Sequence, residues 1–431
     1  MTPSVLTNPS RAAGLNVIAE RESEVRAYVR DFPAVFKRAE GCMLWDENGT
    51  SYIDFFSGAG ALNYGHNHPE MKKAVISYLL DDGIVHSLDL ATEAKIHFIE
   101  TFDEIILKPR QLQYKMMFPG PTGTNAVEAA LKLARKVTGR STVAAFTHGF
   151  HGMTLGALAV TANRRKRRGA SRPLEGSISL PYDGFMGEDI DTLDYIERLF
   201  ADEGSGIDLP AAVIVETVQG EGGLHAARID WLRRLRALTR QYGILLIVDD
   251  IQTGSGRTGP FFSFETAEIE PDIVTLSKSL GGMGLPFALV LLHPDLDEFL
   301  PGEHNGTFRG NNLAMVAATT ALKQYWKDNT FSEVIVKKGN VLSDRLQAMV
   351  DSLPFSAHVR GRGMMQGIAF EPNGFAEAVS KEAFIKGLIV ETSGPENEVV
   401  KLLPPLIIDD KTLEEGLERL EDAIQTVIKS F

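Results

Sequence analysis

Five short runs of mostly apolar residues constrain this chain most: Val143–Phe146, Ala211–Val215, Ile244–Val248, Ile273–Leu276 and Phe287–Leu292. Runs of this length without polar alternation fit strands buried on both faces, as in parallel sheets. Helical periods precede and separate these runs, over Ala126–Val137 and Trp231–Tyr242. The pattern predicts an α/β fold with a mostly parallel central sheet flanked by helices. Ligands of such sheets bind at the carboxyl ends of the strands, so the residues after each run are where chemistry is sought. A length of 431 residues allows two or three domains. From Tyr325 onward helices mix with short strands (Ile368–Phe370, Leu388–Glu391), which reads as a smaller α+β domain. The expected division is a large domain over 63–324 and a small domain over 325–431, with 1–62 packing against the latter. The last helix carries Leu413, Leu417, Leu420, Ile424 and Phe431 on one face, behind a capping box from Thr412 to Glu415.

Charge and cysteine content exclude several classes. Lys and Arg number 44 against 57 Asp and Glu, a net charge of −13, whereas a phosphate-backbone binder carries the opposite sign. No nucleic acid is expected as a partner. The single cysteine, Cys42, excludes an intramolecular disulfide and any Cys-rich metal centre, and points to a reducing, cytoplasmic setting. The opening stretch MTPSVLTNPSRAAGLNV has no basic segment followed by an apolar one, and no apolar run spans a bilayer, so neither a leader nor a membrane partner is expected.

Three motifs invite over-reading. Gly254-Ser255-Gly256-Arg257-Thr258-Gly259 matches the dinucleotide fingerprint, but Pro260-Phe261-Phe262 follows and no helical period begins. His66 with His68, and His148 with His151, lack both a cysteine and the HExxH pattern, so paired or stacking histidines are expected and no metal. The basic run Arg164–Arg168 reads as a solvated loop that draws dicarboxylates toward a site.

Four other features gain meaning together. Lys278 follows the strand Ile273–Leu276 and precedes Gly281-Gly282; a lysine at a buried strand end is costly unless paired or chemically used. Schiff-base formation with a carbonyl cofactor would use it. Asp249 closes the run Ile244–Val248, where a buried carboxylate needs a cation such as a protonated pyridine nitrogen. Gly123 and Thr124 open the helix that follows Gly120-Pro121-Thr122, where free amides bind phosphate. Phe150, beside His151 and after the strand Val143–Phe146, can stack on a planar ring.

These parts, in this order, suit pyridoxal phosphate. The stretches Thr122–Arg135, Val215–Gly223, Val248–Gly259 and Pro271–Met283 resemble the class III (subgroup II) aminotransferases of fold type I, and the resemblance runs from about Glu40 to the C-terminus. It implies that Lys278 carries the cofactor, that Asp249 pairs with the pyridine nitrogen, and that Gln252 meets the ring hydroxyl. It further implies that Gly123 and Thr124 hold the phosphate, that Phe150 stacks on the ring with His151 beside it, and that Glu216 lies on the ring side. Thr307 would reach the phosphate of a neighbouring subunit, so the smallest active unit would be a homodimer. Glu221 matches the family's gating glutamate.

Further stretches, Arg21–Pro33, Phe55–Pro69, Gly149–Thr161, Asn305–Asn312 and Lys401–Leu406, resemble the diaminobutyrate–2-oxoglutarate transaminases of ectoine biosynthesis. The implied reaction moves an amino group from L-glutamate to L-aspartate 4-semialdehyde. Ornithine, acetylornithine and 4-aminobutyrate enzymes, and the diaminobutyrate enzyme of the diaminopropane route, are the nearest alternatives. Two departures from the wider class bear on the substrate: Met153 and Lys401 stand where many relatives carry arginines that hold carboxylates. Lysine lacks the planar fork of arginine, so the second change is not conservative. The expectation is that Lys401 pairs with Glu221 and that Arg309 or Lys401 holds the carboxylate.

Overall fold

The computed structural model describes residues 12–431; the opening stretch read above for a leader lies largely outside them. A seven-stranded sheet forms the centre. Its spatial order is Ser177–Leu180, Val143–Phe146, Ala212–Val215, Leu245–Asp249, Ile273–Leu276, Leu289–Leu292 and Lys115–Met117. The strands Val143–Phe146, Ala212–Val215, Ile273–Leu276 and Leu289–Leu292 are buried at every position, which is why their sequences carry no polar alternation. Neighbours pair in parallel except around Leu289–Leu292, which runs antiparallel to both of its partners. The run Phe287–Leu292 is therefore a strand as expected, but of the opposite direction. An apolar run records burial and carries no sign of its polarity.

The helix Gly123–Thr138 packs on this sheet through Leu133 and the small side chains of Ala126, Ala129, Ala130 and Ala134. A second, antiparallel sheet has the order Ala357–Arg362, Met365–Phe370, Val399–Leu402, Glu391–Ser393. A third joins both chain ends, because Ser51–Asp54 pairs in parallel with Leu388–Ile389. No described helix is long and apolar enough to cross a membrane.

The loop matching GxGxxG is a series of turns with no helix behind it. Gly256 sits at φ +89°, and a Cβ there would fall 2.6 Å from the Trp326 ring. Arg257 in the same loop is fully buried and donates to Asn63 Oδ1, to the Met364 carbonyl at 3.0 Å and to the Pro404 carbonyl at 2.6 Å. The loop thus fastens three distant segments, a structural use of a sequence that imitates a nucleotide motif.

The last helix spans Asp410–Ser430 and buries Leu413, Leu417, Leu420 and Ile424, while Phe431 ends the chain largely exposed, its ring 5.2 Å from Phe375. Its cap differs from the expected box. Asp409 is the capping residue: its carboxylate accepts from the Thr412 amide at 2.9 Å and from the Thr412 hydroxyl at 2.7 Å. Glu415 instead pairs with Arg419 one turn on. Asp409→Ala should therefore lower stability by about 1 kcal/mol, read as a drop in the thermal midpoint, whereas Glu415→Ala should cost no more than about 0.5 kcal/mol.

Candidate active site

The carboxyl ends of four adjacent strands converge on one cavity of about 190 Å³. Beyond Val143–Phe146 the chain supplies Phe150, His151 and Gly152; beyond Ala212–Val215 it supplies Glu216 and, further on, Glu221. Leu245–Asp249 ends on Asp249 itself, with Ile251 and Gln252 behind it. Ile273–Leu276 leads into Lys278, and the helix Gly123–Thr138 starts at the cavity wall with Gly123 and Thr124.

Asp249 is buried, and a buried carboxylate is costly without donors. His151 Nδ1 lies 2.7 Å from its Oδ2, while the Thr275 hydroxyl (3.1 Å) and the Ile251 amide (3.2 Å) donate to its Oδ1. Burial pushes the imidazole toward neutrality, and the Asp249 carboxylate outweighs it, so the His151 pKa stands above its ordinary value. Glu216 accepts from the Phe150 amide at 2.9 Å and the Gly220 amide at 3.4 Å. Burial pushes its carboxyl up to about 7, opposed by His151 and helped by the neighbouring Asp249. Asp250, the next residue after Asp249, is buried among the Thr253 hydroxyl and the Ser263 amide and is likewise pushed up by burial, to about 6.

At the other end of the cavity, amides in the first helical turn have no intrahelical carbonyl to bond. The turn is set by Thr122, whose amide and hydroxyl both donate to Asn125 Oδ1, at 3.2 and 2.8 Å. The backbone is bare where it faces the cavity. A Cβ on Gly152, which sits at φ +135°, would fall 2.4 Å from Thr124 Oγ1. Gln252 donates to the Ala59 carbonyl at 3.0 Å, and its Oε1 is buried with no donor among the described residues. Phe150 is only half-buried, so its ring is a wall of the cavity and not a core side chain.

Lys278 adopts φ +48°, a left-handed conformation that costs a lysine free energy and needs support. Ser279 provides it: its hydroxyl donates to the Gly60 carbonyl at 2.8 Å and accepts from the Asn63 amide at 3.1 Å. Burial lowers the Lys278 pKa, which favours the neutral, nucleophilic amine. Beyond it lies a row of paired charges. Lys401 is fully buried between Glu221 Oε1 at 2.7 Å and Glu391 Oε1 at 2.9 Å, and it faces Glu391 directly across the antiparallel ladder. Glu221 is held down to about 2 against its burial, mainly by Lys401 and then by Lys278 and Lys166. Burial raises Glu391, which also accepts from the Tyr28 hydroxyl at 3.3 Å.

The cavity wall therefore includes Lys278, Asp249, Gly123, Thr124, Phe150, His151, Glu216, Gln252 and Glu221, and Lys401 pairs with Glu221 behind it. Thr307 and Arg309 do not reach it. Thr307 is exposed and its carbonyl accepts from His86 Nε2 at 2.8 Å; Arg309 bonds Asn305 at 3.1 Å and lies 3.9 Å from Asp89. The other histidines pair within the protein: His66 with Asp54 (2.7 Å), His68 with Tyr325 (2.7 Å), and His148 stacked on His225. The basic run is not a loop but a short helix, Arg164–Arg168, and its Lys166 lies over the Phe150 ring. Lys166, Glu391, Ile251 and Gly152 were not anticipated as site residues. Glu391 carried one faint signal, an acidic residue closing an otherwise apolar strand run.

Two outcomes follow from these charges. Lys401→Met leaves two buried carboxylates facing each other and should cost about 3 to 5 kcal/mol of stability, read in urea unfolding, with Glu391→Gln restoring part of it in the double variant. Glu216 keeps its proton in the folded chain up to about 7, against an ordinary 4.5. The folded state thus binds more protons between those values, and this stabilisation is complete below the lower one and lost as pH rises through the upper. Glu216→Gln should flatten the fall in thermal midpoint of the cofactor-free protein between about pH 5 and about pH 8.

Comparison with known proteins agrees with this arrangement. Residues 25–424 match the family model described as aminotransferase class-III. The chain is 58% identical over 417 residues to a diaminobutyrate–2-oxoglutarate transaminase of Halalkalibacterium halodurans, covering 96% of this chain and 97% of that one. It is 55% identical over 415 residues to the protein of the same name from Nocardia farcinica, covering 96% and 95%. Among solved structures, the ornithine aminotransferase of Toxoplasma gondii, with PLP at partial occupancy in its active site, superposes with a TM-score of 0.84 at 26% identity, covering 97% of this chain and 94% of that one. A Bacillus anthracis aminotransferase, at 23% identity and covering 98% and 100%, shares the fold with a TM-score of 0.87. With the strand-end lysine and aspartate in one cavity and a family match along most of its length, the chain belongs to the class III aminotransferases.

Proposed function

We propose that this chain is a pyridoxal-phosphate-dependent diaminobutyrate–2-oxoglutarate transaminase, converting L-aspartate 4-semialdehyde and L-glutamate to L-2,4-diaminobutyrate and 2-oxoglutarate, and the reverse. The carrying observation is the joint presence in one cavity of Lys278, Asp249 with His151, and the Gly123–Thr124 helix start. Relatives of that activity at 54–58% identity along nearly the whole chain support the choice of substrate.

The cavity suits the cofactor at each of its chemical ends. The amides of Gly123 and Thr124 with the Thr124 hydroxyl would hold the phosphate. Asp249, already a partner of the buried His151, would hold a protonated ring nitrogen, and the unpartnered Gln252 Oε1 would accept from the ring hydroxyl. Phe150 and Ile251 supply apolar faces for a flat ring. When bound, pyridoxal phosphate supplies an electron sink for negative charge at the carbon that gains or loses the amino group.

The chain's own groups do the rest. Lys278 Nζ, favoured neutral by burial, presents the amine that tethers the cofactor and later takes and returns the proton at the reacting carbon. Asp249, positioned by His151 and the Thr275 hydroxyl, would face the ring nitrogen of the bound cofactor. Glu221 occupies Lys401 at rest. Movement of Glu221 away from Lys401 would free a cation for the carboxylate on the reacting carbon of glutamate, which has no counterpart on the reacting C4 of diaminobutyrate.

The active unit in this reading is a homodimer in which Thr307 is presented to a second copy. Thr307 and Phe308 are exposed, as is Leu300 nearby, giving this loop an apolar surface for a partner to cover. The two-part division, 63–324 against 325–431 with 1–62, belongs to the same reading and rests on the pairing of Ser51–Asp54 with Leu388–Ile389.

The test is a half-reaction of the holoenzyme with no oxo acid present, following loss of the cofactor's aldehyde-form absorbance. L-2,4-diaminobutyrate should convert it at least tenfold more efficiently than ornithine, N-acetylornithine or 4-aminobutyrate. A better amine among those three keeps the transaminase and overturns the substrate. Lys278→Ala should abolish conversion by every amine.

A further inference from the structure

Both amino donors of the proposed reaction share a chemical feature. In diaminobutyrate the reacting carbon is C4 and its carboxylate lies three carbon–carbon bonds away. In glutamate the reacting carbon is C2 and the side-chain carboxylate lies the same three bonds away. One fixed cation could therefore hold either substrate. The question is which cation near the cavity is free to do so.

Lys401 is not in the resting structure, where it is wholly buried and ion-paired with Glu221 Oε1 at 2.7 Å and Glu391 Oε1 at 2.9 Å, and once Glu221 moves it is committed to the carboxylate on the reacting carbon of glutamate. Lys278 is the reacting amine. Arg309 is turned toward Asn305 and Asp89, outside the cavity wall. Lys166 remains. Its Nζ stands 4.1 Å from the centre of the Phe150 ring and 3.9 Å from Glu221 Oε2, so it borders two walls of the cavity. Its side chain is 34% exposed, and at 3.9 Å the Glu221 contact leaves its donors unfilled.

Its placement is built. The Asn163 side chain caps the short helix by accepting from the Lys166 amide at 3.0 Å. One turn face is nailed down by Arg167, which donates to the Ala159 and Thr161 carbonyls at 2.9 and 2.8 Å. The fixed backbone aims Lys166 at the ring wall while Arg167 is spent on structure. A point charge on a flexible stem also suits two substrates whose carboxylates approach from slightly different chain conformations.

We infer that Lys166 is a specificity-determining residue that holds the carboxylate three bonds from the reacting carbon in both amino donors. This inference rests on the proposed transaminase reading. The informative comparison uses 1,3-diaminopropane, which is diaminobutyrate without its carboxylate. In holoenzyme carrying Lys166→Met, the kcat/KM ratio of diaminobutyrate to 1,3-diaminopropane should fall about tenfold to a hundredfold, mostly through KM. Lys166→Arg should keep the ratio within about threefold.

A readout without turnover accompanies it. Glutarate is glutamate without its amine and cannot react. Its dissociation constant from the holoenzyme should rise at least about tenfold in Lys166→Met and stay near wild type in Lys166→Arg. An unchanged ratio, a loss confined to kcat, unchanged glutarate binding, or equal losses in both variants would overturn the role of Lys166. Wild-type protein that ignores diaminobutyrate would instead overturn the proposed reaction together with it.

Discussion

A buried charge must find its partner inside the protein, and that requirement organises this molecule. The central strands are almost wholly apolar, Thr275 being the polar exception, so charged groups are admitted where the strands end. At those ends and in the loops behind them Asp249, Glu216 and Glu221 are nonetheless buried or nearly so. Each persists because another strand end or loop supplies a donor or a counter-charge. Asp249 has His151 and Thr275, Glu216 has two backbone amides, and Glu221 has Lys401. The site is consequently one coupled set of ionisable groups, in which a change at one member moves the protonation of the next.

Much of this was legible in the residues alone. The strands Val143–Phe146 and Ile273–Leu276 coincide with the apolar runs, and Lys278 and Asp249 stood out because they close such runs. The direction of Leu289–Leu292 was not legible, because burial and polarity are separate properties. The cap of the last helix shifted from Thr412 to Asp409 because both residues can accept from a free amide, and only backbone geometry decides between them. Lys166 was read only as part of a basic run that draws dicarboxylates, and Glu391 only as the end of a short strand, for another reason. Their partners, Phe150 with Glu221 and Lys401, come from other segments of the chain, and no local spacing records such meetings. Ile251 and Gly152 look like any isoleucine and any glycine until the cavity is seen.

The alternation Lys166, Glu221, Lys401, Glu391 also explains why lysine suffices where many relatives of the class carry a guanidinium fork. Lys401 is approached by one oxygen from each of two separate carboxylates, and a compact ammonium with three donors answers that geometry directly. Two partners also hold it harder than one would. A charge so placed is bound into the wall at rest, and releasing it requires Glu221 to move.

Arg257 carries a consequence in the dimension of time. Its guanidinium lies in the loop between Asp249 and Lys278, yet its acceptors come from Asn63, Met364 and Pro404. A ribosome makes the chain from the amino end, so the loop is synthesised long before residue 404 exists. Until then a cation destined for full burial lacks part of its acceptor set. The loop between Asp249 and Lys278 therefore gains its full set of acceptors only after residue 404 has been made. A nascent chain would hold this cation incompletely bonded until that residue emerges.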